Sequence, residues 1–183
     1  EIRRLHDEFR MTTVYVTHDQ SEAMAISDRI AVMNKGKVDQ VDAPVNIYSR
    51  PKTRFVAGFI GRTNFIEGRP NGDTVDFSGF RIARASLGTS NIPSGVSIFS
   101  VRPQSMEVLA ARPAEADRPV IAGKIAHRTF LGETWDYTFA SESGLRLRVV
   151  APPANALDMH QPVWLRLDPA QIVRVEDTTA AAS

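Results

Sequence analysis

The sequence predicts an α+β chain in two unequal parts: an incomplete α/β piece over about residues 1–61, an all-β module over 62–176, and a short tail at 177–183. Three observations predict it. Helix and strand patterns alternate before about residue 62, as in an α/β layer. After that point short strand patterns follow one another with few helical ones, broken by turn signals such as Asn71-Gly72 and Gly79. In "GLRLRVVAP" and "GETWDYTFA" apolar and polar residues alternate, the period of a strand with one wet face.

The elements follow in order. "EIRRLHDEF" places Ile2, Leu5 and Phe9 on one stripe of a short helix. "TTVYVT" supplies β-branched and aromatic residues without alternation, the composition of a strand covered on both faces of a parallel sheet. A helix starts near Asp19, whose carboxylate caps the first turn while Glu22 reaches back in a capping box. Strands at Arg29–Met33 and Lys37–Val41 are joined by a tight turn at Asn34–Gly36, where glycine takes positive φ. Pro44 opens a short helix and Pro51 stops it, and "KTRFVAGFIG" forms another that ends at Gly58 or Gly61. "TNFIEGRPNGDTVDFSGFRIA" and "SGVSIFSVRP" add strands to those of the two alternating segments, roughly five to seven in all, the content of a small closed β-barrel. "AARPAEADRP" reads as an exposed loop within it, and "DTTAAAS" as a frayed tail.

Composition narrows the chemistry. A hydrophobic content of 43% is enough to build a core. Twenty-two basic against 21 acidic side chains leave a formal charge of +1, so no global field draws in nucleic acid or acidic lipid. The absence of cysteine excludes disulfides, thiolate nucleophiles and cysteine zinc sites, and fits a reducing compartment. No run reaches the roughly 20 apolar residues that cross a bilayer. "EIRRLHDEFR" has neither an initiating Met nor an apolar signal core and reads like the middle of a charged helix, so the expectation is a fragment.

One histidine stands out. His18 closes the predicted buried strand, the place where open α/β sheets bind ligands. Imidazole donates a hydrogen bond to a phosphate oxygen and changes charge near neutral pH. A histidine that merely satisfies a strand-end carbonyl fits the same spacing. The surrounding residues extend the argument. Through "VTHDQSEAM", "SDRIAVMNKGK", "APVNIYSRP" and "FVAGFIG", the stretch from Thr13 to Gly61 resembles the C-terminal end of the nucleotide-binding subunit of ATP-binding cassette (ABC) importers. The resemblance implies that His18 is the switch-loop histidine, which contacts the γ-phosphate and helps position the attacking water.

Downstream, "VRPQSMEV" and "FLGETWDYTFASESGLRLRVV" resemble the transport-associated (TOBE) barrel, an oligonucleotide-fold (OB)-like domain of such subunits. The implied fold is a truncated ABC ATPase remnant followed by an OB-like barrel that serves dimerisation or regulation. The implied activity is transport-coupled ATP hydrolysis, with ATP and Mg²⁺ bound in the intact subunit. The implied partners are a second copy of the subunit, as a homodimer, and transmembrane permease subunits. The implied location is cytoplasmic, peripheral on the inner membrane. "FIGRTNFIEG" and "FLGETWDYTF" are similar to the polyamine, opine and iron branches more than to the sugar branch.

An ATPase needs a glycine-rich phosphate cradle with Lys, a Mg²⁺ carboxylate and an activated water. The pattern G-x-x-x-x-G-K-[ST] is absent. Gly36-Lys37 and Gly123-Lys124 are the only Gly-Lys pairs, and neither is followed by Ser or Thr. By the resemblance, the phosphate loop, the Mg²⁺ aspartate, the catalytic glutamate and the signature stretch all lie upstream of this chain's first helix. The chain alone is therefore expected to hold no nucleotide or metal cofactor and to be inactive. Its "TTVYVT" strand, stripped of neighbours, is expected to rearrange, pair with another copy or be disordered.

Other residues weigh less. Asp19, Gln20 and Glu22 suggest acid–base chemistry, but capping accounts for Asp19 and Glu22. His6, His127 and His160 lie far apart without metal-ligand spacing. Trp135 and Trp164 read as core anchors rather than stacking platforms. Arg102, Arg128, Arg146 and Arg148 read as the wet side of a sheet. The alternative, a basic face, would make the barrel an independent binding module for a small oxyanion, oligosaccharide or nucleic acid. Nucleic acid is not expected as a partner.

Overall fold

The computed structural model describes residues 2–114 and 117–177. They fall into two compact units: one runs to Gly61 and also takes in Asp177, and the other spans Arg62–Glu176. All but Asp177 of the expected tail lies outside the described residues.

The first unit holds α1 (Ile2–Phe9), α2 (Gln20–Ile26), β1 (Ile30–Asn34), β2 (Lys37–Asp42), α3 (Pro44–Ser49) and α4 (Arg54–Phe59). Strands β1 and β2 form the expected antiparallel hairpin, turned by Lys35 and Gly36 at φ 48° and 77°. Two successive positive φ values match the twist of the strands they join. Asp42 Oδ1 accepts from Asn46 Nδ2 at 2.7 Å and Ala43 N at 2.8 Å, and these bonds, Asn46's first, hold its carboxyl below the ordinary range. At α4, Thr53 Oγ1 accepts from Val56 N at 3.1 Å. Gln40, buried on β2, donates to Arg50 O and accepts from Lys52 N, so one amide fastens the α3–α4 connection. Ile30, Val32, Ile47, Val56 and Ile60 make a small core of their own.

The expected parallel strand is absent. Thr12–Thr17 takes no ladder position, and Val14 and Val16 are 88% and 90% exposed. Propensity fits a residue to a pleated surface, but a strand exists only through hydrogen bonds to a neighbour. Among the described residues of this unit the only ladder is β1–β2, so the expected α/β layer does not form.

The second unit comprises β3 (Asn64–Asn71), β4 (Thr74–Phe77), β5 (Phe80–Ala83), β6 (Ser97–Val101), β7 (Met106–Leu109), β8 (Val120–Phe130), β9 (Trp135–Ser141), β10 (Arg146–Ala151), β11 (Pro162–Leu167) and β12 (Val173–Val175). These make two five-stranded antiparallel sheets, ordered β10-β9-β8-β11-β7 and β12-β6-β3-β4-β5. One apolar core draws on both, with Ile66, Val75 and Phe99 from one sheet and Ile125, Phe139, Leu147 and Leu165 from the other. Gly68 permits a close approach within this core: a Cβ there would lie 2.7 Å from both Phe77 and Val75.

A single closed barrel of fewer strands is thus replaced by two sheets. The first sheet curls until its edges, β7 and β10, approach each other, but no ladder bond joins them. At this open seam Arg148 turns its backbone N–H and C=O away from β9, and the amide of Asn64 takes both. Asn64 Oδ1 accepts from Arg148 N at 2.7 Å, while Nδ2 donates to Arg148 O at 2.9 Å and to Val101 O at 3.3 Å. A side-chain amide here reproduces the donor–acceptor pattern of a missing strand.

Candidate functional site

His18 stands in a bend between Thr17 and Asp19, directly before α2, and is exposed. Two local devices shape that bend. Asp19 Oδ1 accepts from Ser21 N at 2.8 Å and Glu22 N at 3.0 Å, the expected N-cap. The return half of the capping box is not made. Asp19 N donates instead to Thr17 Oγ1 at 2.9 Å, and Thr17 Oγ1 donates to Glu22 Oε2 at 3.1 Å. Tyr15 Oη donates to the same carboxylate oxygen at 3.1 Å. A nearby hydroxyl has displaced Glu22 from the backbone, and Glu22 collects two hydroxyls in exchange. The His18 ring makes no hydrogen bond to any described residue, so it does not serve a strand-end carbonyl. With Tyr15, Arg29, Val32 and Phe59 it lines a cleft of about 670 Å³.

The Tyr15 phenol is held above its ordinary pKa of 10.0, first by the hydrogen bond it donates to Glu22 and then by that carboxylate's charge. A raised pKa in the folded state means the proton is bound more tightly there. The stabilisation is complete below pH 10.0 and is lost as pH rises through the elevated folded value. An NMR titration of the Tyr15 ring should place its midpoint above 10.0, and Glu22→Gln should bring it down towards 10.0. An unchanged midpoint in Glu22→Gln would show that the phenol and carboxylate do not interact in solution.

Of the other expected residues, His6, Asp19 and Gln20 line the same cleft as His18, whereas His127, His160, Trp135 and Trp164 do not. His6 Nδ1 lies 3.3 Å from Asp7 Oδ1 on α1, and His127 Nε2 lies 3.3 Å from Thr129 Oγ1 on β8. Among the described residues no group of three His, Cys, Asp or Glu side chains is placed to hold a metal ion. His18 and the guanidinium-bearing Arg3 and Arg29 line the cleft, but with no such carboxylate group among the described residues to seat Mg²⁺, these residues do not fit Mg²⁺·ATP unaided. Trp135 packs against the core edge, stacked on Tyr137 at 5.8 Å with the Arg128 guanidinium 5.5 Å from its ring centre. Trp164 is not an anchor: it alternates out of phase with buried Val163 and Leu165 and is half-buried on the other face of β11.

No shared basic face gathers Arg102, Arg128, Arg146 and Arg148. Arg102 is buried and donates to Arg62 O at 3.1 Å. Arg128 pairs with Asp158 at 2.7 Å. Arg148 grips the buried Asp136 carboxylate, which also takes Arg62 at 3.4 Å. Arg146 is exposed at the start of β10. Sequence reasoning missed Tyr15 and Thr17 as parts of the His18 bend, although hydroxyls spaced two apart before an N-cap were the available sign.

The family model described as "TOBE domain" matches residues 99–175. The chain is 37% identical over 162 residues to the spermidine/putrescine import ATP-binding protein PotA 2 of Pseudomonas aeruginosa, covering 85% of this chain and 44% of that protein. It is 36% identical over 178 residues to the PotA protein of Thermobifida fusca, covering 92% and 46%. It is 37% identical over 150 residues to the Fe(3+) ions import ATP-binding protein FbpC of Fusobacterium nucleatum, covering 81% and 39%. The chain thus spans less than half the length of these relatives. Among solved structures, the molybdate-bound form of the cytoplasmic molybdate-binding protein ModG aligns at a TM-score of 0.48 and 9% identity, over 61% of this chain and 94% of that one, a likeness in outline only. The chain carries a TOBE domain and is homologous, over most of its length, to the C-terminal region of ABC importer ATP-binding subunits.

Proposed function

We propose that this chain is the C-terminal part of the ATP-hydrolysing, energy-coupling subunit of an ABC-type solute importer. Residues 1–61 are the end of its nucleotide-binding domain, and 62–176 form an OB-like domain that serves dimerisation or regulation. The observation that carries the reading is identity to import ATP-binding proteins that runs through both units, 37% over 85% of the chain. An exposed imidazole, unbonded and standing on a hydrogen-bonded bend, supports His18 as the contact to the γ-phosphate in the intact subunit.

In that subunit ATP and Mg²⁺ are held mainly by segments outside these 183 residues. A second copy of the subunit and membrane permease subunits are its partners, on the cytoplasmic face of the membrane. Among the described residues no helix is long and apolar enough to cross a membrane. Import of a polyamine or of ferric ion, as in the names of the relatives, is the transport it serves.

The test compares ATP turnover and nucleotide affinity of this chain with those of an intact subunit. The chain alone should show no saturable turnover, and in the intact subunit His18→Ala should lower kcat by about 100-fold, the scale for removing one transition-state donor. Turnover by the chain alone at a comparable rate overturns the proposal.

A further inference from the structure

We infer that Glu22 is the positioning residue for His18: its carboxylate gathers the Tyr15 and Thr17 hydroxyls and so fixes the bend on which the imidazole stands. The inference rests on the reading of His18 as a phosphate contact. Hydrogen bonds bracket the histidine on both sides. On its N-terminal side Thr17 is bound through its hydroxyl to Glu22, at 3.1 Å. On its C-terminal side Asp19 is bound twice, its N–H to Thr17 Oγ1 at 2.9 Å and its carboxylate to the first turn of α2. Tyr15, two residues further back, adds a second tether to the same Glu22 oxygen at 3.1 Å. The chain between Tyr15 and Asp19 is thereby fastened to α2 while the His18 ring stays free.

A clasp positions only if its own base is fixed. Helix α2 packs Ala23 and Met24 against the core of the first unit, and Gln20 Oε1 accepts from Gly61 N at 3.0 Å. The base is therefore tied at both packing and backbone level. One oxygen that accepts two hydroxyls suits an ionised carboxylate, whose bonds are stronger than those of a neutral amide. Placement matters to a phosphate contact, because a shift of about 1 Å away from the reacting atoms costs up to about 100-fold in rate.

Glu22 in the first turn of α2 also favours the helix dipole, and that role needs no hydroxyl. The double variant Tyr15→Phe/Thr17→Val separates the two, since it keeps the Glu22 charge and removes the clasp. In this chain, heteronuclear NOE values of the Thr17, His18 and Asp19 amides should fall in Glu22→Ala and in the double variant alike, and should largely survive in Glu22→Gln. In the intact subunit, Glu22→Ala should lower kcat about 10-fold with KM for ATP within about twofold, and Glu22→Gln should restore most of it. Unchanged amides in both variants overturn the inference. Loss of turnover in His18→Ala without loss in Glu22→Ala also overturns it and leaves the His18 reading standing. Full turnover in His18→Ala overturns that reading instead, and the amide measurement then decides alone whether Glu22 holds the bend.

Discussion

Tyr137→Ala should destabilise the Arg62–Glu176 unit by about 3–5 kcal/mol, the range for deleting a buried aromatic ring, with Tyr137→Phe costing about 1–3 kcal/mol of that. Tyr137 is fully buried on β9, between the stacked Trp135 and the common core. Its hydroxyl does two jobs: it donates to Asn155 O at 2.7 Å and accepts from Leu157 N at 2.9 Å. The phenylalanine variant keeps the packing and leaves both backbone groups unpaired. The alanine variant adds a void that the flanking side chains fill only in part. Both tryptophans of the chain, Trp135 and Trp164, lie in this unit, so urea unfolding followed by tryptophan emission reports on it alone. A loss under about 1 kcal/mol in the alanine variant would show that Tyr137 does not sit in a close-packed core.

Asn64→Asp should cost about 2–4 kcal/mol in the same measurement, although only the donating end of the side chain changes. The Nδ2 group donates to Arg148 O and Val101 O; a carboxylate there sets oxygen against both carbonyls. Asn64→Ala should cost less than Asn64→Asp, because an absent group leaves the seam unpaired where the carboxylate opposes it. Thr63, which donates to Val101 O at 3.2 Å and lies 2.6 Å from Ser100 Oγ, keeps part of the junction intact in either variant. If aspartate is tolerated as well as alanine, the amide does not substitute for a strand at the edge of β10.

Much of the fold is written in local signals. The hairpin of β1 and β2 follows from Asn34–Gly36, α3 from Pro44, α4 from Thr53, and the buried side of β10 from alternating Leu147, Val149 and Ala151. What escapes the sequence depends on distant partners. Thr12–Thr17 has strand composition but no neighbour to bond, and composition cannot supply one. Asn64 finds its partners 37 and 84 residues away, so nothing near it marks the seam. Arg102 looks like a wet-side residue and is buried against the Arg62 carbonyl. His18 was legible as a position, at the junction before a capped helix. The clasp around it was not, because a Glu at the third helical position has two uses, and only the geometry of Tyr15 and Thr17 chooses between them.

The bare segment Thr12–Thr17 sets how this chain keeps in storage. Six residues without charge, Pro or Gly, β-branched or aromatic throughout, are the kind from which stacked fibrils nucleate, and here all but the half-buried Thr17 are exposed. Concentrated stocks should acquire thioflavin-positive material that seeds fresh solutions, and a lysine in place of Val14 or Val16 should act as a gatekeeper and lengthen the lag before it appears.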